Sequence, residues 1–332
     1  MTEALHGNLR DLLRDAIGHH EGMPALILAD SRSILSRLLT EGYRAVRPGA
    51  AFLDVDATEP PAVFAAIDAL PRGALVVLLE STRFELAEFR FRLELFKRGL
   101  AVVEHPHLGR VGDDELVVYI DALAHDPAWL GHTGRALKAR IDGASSIQVR
   151  TAAGEARWRG PFEPARLNIG DYAGMPNVGG QFPIGEVFTE AVDLQGLDGT
   201  VSIGAFGASD FSVAFPPPFA LEVVAGRVVA SPGAPAAFAE ILASISAVEG
   251  EVWLRELGFG LNRAMTETRR LSDVGAYERM CGVHLSLGAK HSVYPKAGFS
   301  KRQVRFHVDV FCAAPTVLID QVPVYAGGEW AP

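Results

Sequence analysis

Two residues near the C-terminus, His307 and Asp309, have side chains that suit metal binding. They lie in an apolar run, 306–311, whose residue types predict a β-strand. Side chains two residues apart in a strand point to the same face, about 7 Å apart along the chain. An imidazole and a carboxylate on one face of an apolar strand are typical metal ligands, and His284, in a second apolar run, is the candidate third ligand.

Two glutamates lie in similarly unusual surroundings. Glu186 follows a glycine-rich turn and opens a short apolar run, and Glu256 lies in an apolar segment that contains two glycines. A carboxylate inside such a run is rarely buried unless it is paired or coordinated. Either glutamate alone is also explained by an ion pair or by a position on an edge strand. The metal-site hypothesis therefore depends on five residues of ligand type occurring in one part of the chain.

A basic stretch precedes the pair formed by His307 and Asp309. In a chain whose formal net charge is -9, this local reversal predicts a pocket for an anionic group, most simply a carboxylate. Lys301, Arg302 and Arg305 are the candidate substrate-binding residues, and Arg305 lies two residues from His307 on the same face of the predicted strand. An exposed loop that carries basic residues explains the same stretch.

The elements that must position these residues fall into two groups. In the first part of the chain, short apolar runs alternate with segments of helical spacing, which predicts an α/β domain with a parallel, doubly wound sheet. From Ser146 onward, short alternating strands separated by turn residues predict an α+β domain of mostly antiparallel strands. We therefore expect an N-terminal α/β domain over 1–143 and a C-terminal metal-binding, catalytic domain over 144–332.

The composition excludes several classes of protein. The 332 residues are 48% hydrophobic and 21% charged, enough for a large core and unlike a disordered chain. The acidic balance argues against a nucleic-acid-binding protein. Two cysteines cannot form a disulfide framework, and no uninterrupted apolar stretch reaches the length of about 18 residues needed for a membrane span. With no secretory signal evident, we expect a cytoplasmic protein without a membrane partner.

Four motifs occur in an order that resembles the metallo-aminopeptidase family of aminopeptidase T and aminopeptidase S. They are 182–191 with 199–201, 256–262, 282–288 and 306–309. The resemblance implies two divalent metal ions, Zn, Co or Mn, that activate water to cleave an N-terminal peptide bond. It also implies a small-molecule or short-peptide substrate and a homodimer.

The same resemblance implies roles for individual residues. Glu186 matches the bridging carboxylate and Glu256 the second metal-site glutamate, which is also a catalytic candidate. The remaining ligands match His284, His307 and Asp309. At the position of a tyrosine in the family this chain has His291, with Tyr294 three residues on, and either residue is the candidate for proton transfer.

A neighbouring branch of the same fold contains dioxygenases that open the ring of 2,5-dihydroxypyridine. That resemblance implies a single Fe(II) held by two histidines and one carboxylate, which His284 or His291 with His307 and Asp309 would provide. Glutamate at both 186 and 256 favours the two-metal hydrolase. A third alternative is a non-catalytic binding protein that has kept the fold and lost the metal.

Overall fold

The structure is a computed structural model that describes residues 1–84, 86, 91–291, 293–296, 299 and 304–332. Lys301 and Arg302 therefore lie outside the described residues. The chain divides into two compact units, the first made of Met1–Ala128, Gly170–Ile184 and Leu271–Asp273, and the second of Trp129–Ile169, Gly185–Arg270 and Val274–Pro332. The chain thus returns to the first unit twice, and the domain boundary expected after residue 143 stays a prediction.

The α-helices are numbered in chain order. They are α1 (Thr2–Asp11), α2 (Ile34–Val46), α3 (Pro60–Asp68), α4 (Phe91–Lys97), α5 (Leu116–Ala122), α6 (Pro127–Asp142), α7 (Ala236–Glu249) and α8 (Val274–Tyr277). The described residues also contain a π-helical segment (Leu12–Ile17) and three 3-10 turns (Leu108–Arg110, Asp113–Glu115 and Leu194–Gly196). Within the part of the chain that the structure describes, no helix is both long enough and apolar enough to span a membrane.

The strands are numbered in the same way. They are β1 (Ala25–Ala29), β2 (Ala51–Asp54), β3 (Leu75–Leu79), β4 (Ala101–His105), β5 (Ser146–Thr151), β6 (Gly154–Arg159), β7 (Arg166–Asn168), β8 (Gly179–Gln181), β9 (Glu186–Thr189), β10 (Leu197–Gly207), β11 (Val213–Ala214), β12 (Phe219–Val224), β13 (Arg227–Ala230), β14 (Leu254–Gly260), β15 (Gly282–Leu287), β16 (Val308–Cys312), β17 (Thr316–Ile319), β18 (Val322–Ala326) and β19 (Glu329–Trp330).

The first unit is built on a parallel sheet with the strand order β2-β1-β3-β4-β8. Every residue of β1 and β3 is buried, because helices cover both faces of such a sheet. On one face, Val63 of α3 and Leu95 of α4 pack in one cluster with Leu26 and Val76. The predicted α/β fold of the N-terminal part is confirmed.

The second unit is built on a curled antiparallel sheet whose main path runs β19-β18-β17-β5-β6-β10-β16-β15-β14-β9-β7. The pairings along β9, β14, β15 and β16 are all antiparallel, and β14 and β15 are buried over their whole length. This arrangement confirms the mostly antiparallel second domain. These four neighbouring strands contain most of the residues with which the sequence analysis began.

Candidate metal centre

Each of four adjacent strands contributes one side chain of ligand type. The register pairs Glu186 on β9 with Gly260 on β14, and Gly258 on β14 with His284 on β15. Asp309 on β16 lies opposite Ser286, two residues beyond His284 on β15. Because side chains alternate along a strand, the register brings groups that are far apart in sequence to one face of the sheet.

Gly258 explains how the imidazole of His284 fits among its neighbours. A Cβ atom added at this glycine would overlap the ring of His284, including its Nε2 and Cε1 atoms. The two residues are cross-strand partners, so the ring lies directly over the glycine backbone. A glycine in a strand interior often marks such a close approach, and here the imidazole of His284, a candidate ligand, occupies the space that a side chain would fill.

A β-bulge lies at the next candidate ligand on β14. Leu254 pairs with Leu287 and Leu257 with Leu285, so β14 has one more residue than β15 between these two pairs. The extra residue falls at Arg255–Glu256, and a bulge of this kind turns a side chain away from the regular alternation. The bulge therefore allows Arg255 and Glu256, two consecutive charged residues in a buried strand, to contact different partners.

The ligand atoms form two overlapping groups. Glu186, Glu256 and His284 have ligand atoms that all lie within 4.8 Å of one another, and so do Glu256, His307 and Asp309. The carboxylate common to both groups is therefore that of Glu256, whereas the family resemblance gives the bridging role to Glu186. The structure brings all five predicted ligands into these two groups.

The surroundings of His307 and Asp309 fit a metal ion. The Nδ1 of His307 lies 3.1 Å from the carbonyl oxygen of Lys290, so this nitrogen donates the hydrogen bond and Nε2 is left to face Asp309, 3.2 Å from its Oδ1. A metal-binding histidine usually has its other ring nitrogen fixed in this way. Asp309 Oδ1 is buried, and because Nδ1 of His307 holds the proton of the neutral ring, Nε2 donates to this oxygen only when the imidazole is protonated. A cation would satisfy that oxygen.

The pKa values show that this face attracts positive charge. Burial alone would lower the pKa of His284, but hydrogen bonds to Glu186 and Glu256 outweigh it and raise that pKa to about 10. The pKa of His307 rises to about 9, because Asp309 and Glu256 outweigh the effect of burial. Burial would raise the pKa of Glu256, but its hydrogen bonds to His284 and His291 hold it well below the usual value. The same carboxylates would attract a divalent cation.

Of the two candidates for proton transfer, only His291 contacts a predicted ligand. Its Nε2 lies 2.6 Å from Glu256 Oε2, and its Nδ1 accepts hydrogen bonds from the amides of Val293 and Tyr294. Because Nδ1 is an acceptor, Nε2 carries the proton and donates a hydrogen bond to Glu256. The Tyr294 hydroxyl instead donates to the carbonyl oxygen of Pro164 at 2.8 Å, and burial raises its pKa.

Sequence reasoning missed a buried ionic network that holds the segment around His291. The Arg255 guanidinium, 2% exposed, forms two hydrogen bonds of 2.9 and 3.0 Å with the buried carboxylate of Glu190. It also donates to the carbonyl oxygens of Ala289 and Tyr294, while Lys296 lies 3.2 Å from Glu190. The signal was available, because Arg255 is a charged residue in the same apolar run as Glu256.

Arg279 is a second buried cation that the sequence analysis did not identify. Its Nη2 lies 3.7 Å from Glu186 Oε2, and its Nη1 donates to the carbonyl oxygen of Gly275. The guanidinium therefore offsets part of the negative charge that the carboxylates bring to this face. No local pattern in the sequence indicates this contact, since the two residues are far apart in the chain.

Arg305 does not lie on a strand with His307, contrary to the prediction. Strand β16 begins at Val308, and the amides of Arg305 and Phe306 instead donate to Glu249 Oε1 of α7 at 2.7 and 2.8 Å. This carboxylate takes the hydrogen bonds that a neighbouring strand would otherwise accept. The prediction of a longer strand was therefore wrong.

A cavity of about 670 Å³ lies beside the candidate ligands in the second unit. His307 and Asp309 form part of its wall, Lys290 and Arg305 bring positive charge beside the carboxylate of Glu240, and Phe211 contributes apolar surface. The volume is within the usual range for small-molecule sites. Of the three predicted anion-binding residues, Arg305 lines this cavity, while Lys301 and Arg302 lie outside the described part of the chain.

Comparisons with known proteins identify the fold. No family model matches the sequence, and no curated protein matches it significantly. Among solved structures, 2,5-dihydroxypyridine dioxygenase from Pseudomonas putida KT2440 superposes with a TM-score of 0.66 at 15% identity, covering 99% of this chain and 96% of that one. AmpT from Thermus thermophilus, an aminopeptidase T-like protein, gives a TM-score of 0.61 at 15% identity and covers 99% of both chains.

These two likenesses confirm the predicted resemblance at the level of the fold. Identity of 15% does not extend to activity, and the two matched structures carry different names, one a dioxygenase and one an aminopeptidase T-like protein. The fold thus hosts more than one chemistry, and function must be argued from the site itself. The two ligand groups suggest a metal cofactor, without indicating which metal or how many ions.

Proposed function

We propose that this chain is a metal-dependent hydrolase that cleaves an amide or peptide bond of a small, carboxylate-bearing substrate through metal-activated water. The observation that supports this function most directly is the carboxylate of Glu256, which belongs to both ligand groups. Two divalent cations a few ångströms apart repel each other, so a shared carboxylate and further anions favour their joint binding. Glutamate at both 186 and 256 supplies that negative charge.

The residues of this site would have two roles, metal binding and proton transfer. Glu186 and His284 would hold one metal, His307 and Asp309 the other, and Glu256 would contact both. Bound there, a divalent metal supplies Lewis acidity, polarising a substrate carbonyl and lowering the pKa of water. His291 holds a proton at Nε2 against Glu256, in the position from which an imidazole can give or take a proton.

The adjacent cavity supports a substrate with a carboxylate. Lys290 and Arg305 line it within the same unit as His307 and Asp309, and both are exposed. A guanidinium and an ammonium group are suited to binding a carboxylate on a substrate. Phe211 and Ile241 add apolar surface for the rest of the molecule.

The test begins with the metal content of the chain purified without chelator under anaerobic conditions. The proposal predicts close to two Zn, Co or Mn ions per chain and hydrolysis of short peptides or amides that depends on them. His307→Ala should lose metal and activity and keep the circular dichroism spectrum of the parent. Full metal content in that variant would contradict the ligand assignment.

A second candidate function is that of an Fe(II)-dependent, ring-cleaving dioxygenase. The observation in its favour is that the ring centres of His291 and His307 lie 6.0 Å apart, with Asp309 beside His307. Two imidazoles and one carboxylate are the ligand set of many Fe(II) oxygenases. This function would replace the hydrolase proposal if the purified chain contained one iron, consumed oxygen with a hydroxylated N-heteroaromatic acid and hydrolysed no peptide.

A further inference from the structure

The loops at the carboxyl edge of the parallel sheet in the first unit enclose a cavity of about 600 Å³. Its walls come from the segments that follow β1, β3 and β4, and the side chains that matter most here are Arg32, Arg37, Ser81, Arg83, His107 and Arg110. None of the candidate metal ligands lines this cavity. Its volume lies in the range of small-molecule sites.

The order of the strands places this cavity where doubly wound sheets bind ligands. From β1 the chain passes through α2 to β2 on one side, and β3 then pairs with the other side of β1. Helix α4, which follows β3, packs in the same cluster as α3, whereas α2 has no member in that cluster. Such a switch opens a crevice outside the carboxyl ends of the strands, and ligands of open α/β sheets bind there.

The charge of the cavity is opposite to that of the chain. Four arginines line it against one aspartate, in a protein whose formal net charge is -9. Asp56 holds the guanidinium of Arg32, and Asp273 lies 3.2 Å from that of Arg110. Arg37 is different, because its side chain donates to the carbonyl oxygen of Ser31 and forms no salt bridge with a described carboxylate. Its charge is available to a ligand.

The first turn of α2 adds hydrogen-bond donors to the same cavity. Ser33 caps the helix by accepting a hydrogen bond from the amide of Ser36, and its own amide donates to Ser81 Oγ. Within the described residues, the amides of Ile34 and Leu35 have no acceptor. Free amides and the helix dipole both favour an anion at a helix N-terminus.

A network beneath the cavity fixes the two loops that carry these donors. The buried carboxylate of Asp30, directly after β1, accepts hydrogen bonds from the amide and the hydroxyl of Ser81 and from the amide of Arg32. Because Ser81 also bonds to Ser33, the loops after β1 and β3 are held together before any ligand arrives. Preorganisation of this kind lowers the entropic cost of binding.

A smaller cavity of about 280 Å³ extends the site. It shares Arg83 and His107 with the larger one. Its other lining groups include the aromatic rings of Phe84 and Phe91, the amide of Gln181, the carboxyl group of Glu80, and Glu104 paired with Arg92. Cations in one cavity and aromatic, amide and carboxyl groups in the next suit a molecule with an anionic group at one end and an organic part that carries hydrogen-bond donors at the other.

We propose that this crevice binds a small organic anion whose phosphate or carboxylate group lies among Arg37, Arg83 and the first turn of α2. Arginine is the residue that best matches the planar, two-oxygen face of either group. The site is independent of the metal centre, so its failure or success leaves the proposed hydrolase function untouched.

The experiment is isothermal titration of the full chain with inorganic phosphate and, separately, with succinate, at constant ionic strength. We expect saturable binding of at least one probe, and the stronger probe identifies the preferred group. Arg37→Gln should weaken the binding of the stronger probe about tenfold or more, as expected for losing a charge-assisted hydrogen bond. Arg44→Gln, on the same helix but paired with Glu41 away from the cavity, should leave the binding of that probe unchanged.

Three results would overturn the proposal: binding of neither probe, binding that Arg37→Gln leaves unchanged, or an equal loss in Arg37→Gln and Arg44→Gln. Hydrogen exchange of the unmodified chain gives a measurement that needs no variant. The stronger probe should slow exchange in the peptide that contains Ile34 and Leu35, whose amides have no acceptor within the described residues. Unchanged exchange there at saturation would also contradict the site.

Discussion

The candidate metal centre of the second unit and the proposed anion-binding crevice of the first, lined by Arg32, Arg37, Arg83 and Arg110, are built on different structural elements. In the second unit Glu186, Glu256 and His284 lie on neighbouring strands, where backbone hydrogen bonds and packing fix each side chain. In the first unit Arg32 and Arg83 lie on loops beyond the strand ends, whereas Arg37 lies at the start of α2 and Arg110 in a 3-10 turn. Metal coordination tolerates only small errors in ligand position, whereas an anion among several donors tolerates more. Ligands fixed on strands, and arginines on loops and short helical ends, suit these two demands.

The strongest test of the strand-borne site is Glu256→Gln, because this carboxylate belongs to both ligand groups. The substitution keeps the size of the side chain and removes its charge. We expect metal content to fall and kcat/KM for amide hydrolysis to drop by about 10³-fold, equal to roughly 4 kcal/mol. Elemental analysis and steady-state kinetics measure both effects.

The matched control for this variant is Glu251→Gln, which removes the same charge from a surface ion pair with Arg227. It should leave metal content and kcat/KM unchanged. If Glu256→Gln kept its full metal content, a rigid strand-borne metal site at this position would be ruled out.

The next largest effect concerns the buried network that holds the segment around His291. Glu190→Gln leaves Arg255, 2% exposed, without its charged partner. Breaking one partner of a buried pair costs about 3 kcal/mol or more, so the denaturation midpoint in urea should fall accordingly. Glu155→Gln breaks the exposed pair with Arg150 and should cost less than about 1 kcal/mol. Similar losses in both variants would mean that the buried network does not stabilise the unit.

The glycine under His284 offers a test that removes no ligand. Gly258→Ala adds a methyl group where the imidazole lies, so His284 must move. Displacing one ligand in this way should weaken metal affinity by about 10- to 100-fold, as loss of a group that orients a ligand does. Gly7→Ala, at a glycine whose added Cβ meets nothing within 4 Å, is the control and should bind metal normally. Titration calorimetry with Zn²⁺ would distinguish them, and equal affinities would argue against a rigidly placed ligand.

The sequence reveals the strand-borne groups because each is a charged or imidazole side chain within an apolar run. The apolar runs in the first part of the chain likewise predicted the alternation of strands and helices that the structure shows there, and local patterning accounts for most of the fold. What local patterning could not show were contacts over long sequence distance. Glu249 ends β16 early by accepting two amides from 56 and 57 residues away, and the bulge in β14 depends on pairing with β15.

The anion-binding crevice of the first unit was also not predicted, because it depends on contacts over long sequence distance. An exposed arginine is common and carries no signal alone, and Arg37 on α2 and Arg83 after β3 line one cavity only because of the order of the strands. One histidine has the sequence pattern of a ligand without the surroundings of one. His105 follows an apolar run as a ligand would, yet it is buried and bonded to the hydroxyls of Tyr43 and Tyr119, and burial lowers its pKa to about 3.

The first unit has its own buried acid, whose effect is on stability at different pH values. Burial, with the charge of Glu104, raises the pKa of Glu80 to about 8 from the usual 4.5. Between these values the folded chain keeps a proton that the unfolded chain releases. Stability therefore falls as pH rises through this window, by up to about 1.4 kcal/mol per unit, and is flat with respect to this group above it.

Glu80→Gln removes the group that titrates, so the decline in stability between about pH 5 and 8 should flatten. Urea denaturation at several pH values measures it. Glu59→Gln, at an exposed glutamate of the same unit, should keep the slope of the parent. An unchanged slope in Glu80→Gln would show that this carboxyl is already ionised in the folded chain.

The smallest expected effect separates the two residues that compete for the role of proton transfer. Tyr294→Phe removes a hydroxyl that donates to the carbonyl oxygen of Pro164, at a cost of about 1 kcal/mol in stability and with kcat unchanged. His291→Gln instead removes the group that donates to Glu256 and should lower kcat without lowering stability more than Tyr294→Phe does. The reverse pattern would assign the tyrosine to the chemistry, and would mean that its segment rearranges when substrate binds, since its hydroxyl is held by a backbone carbonyl here.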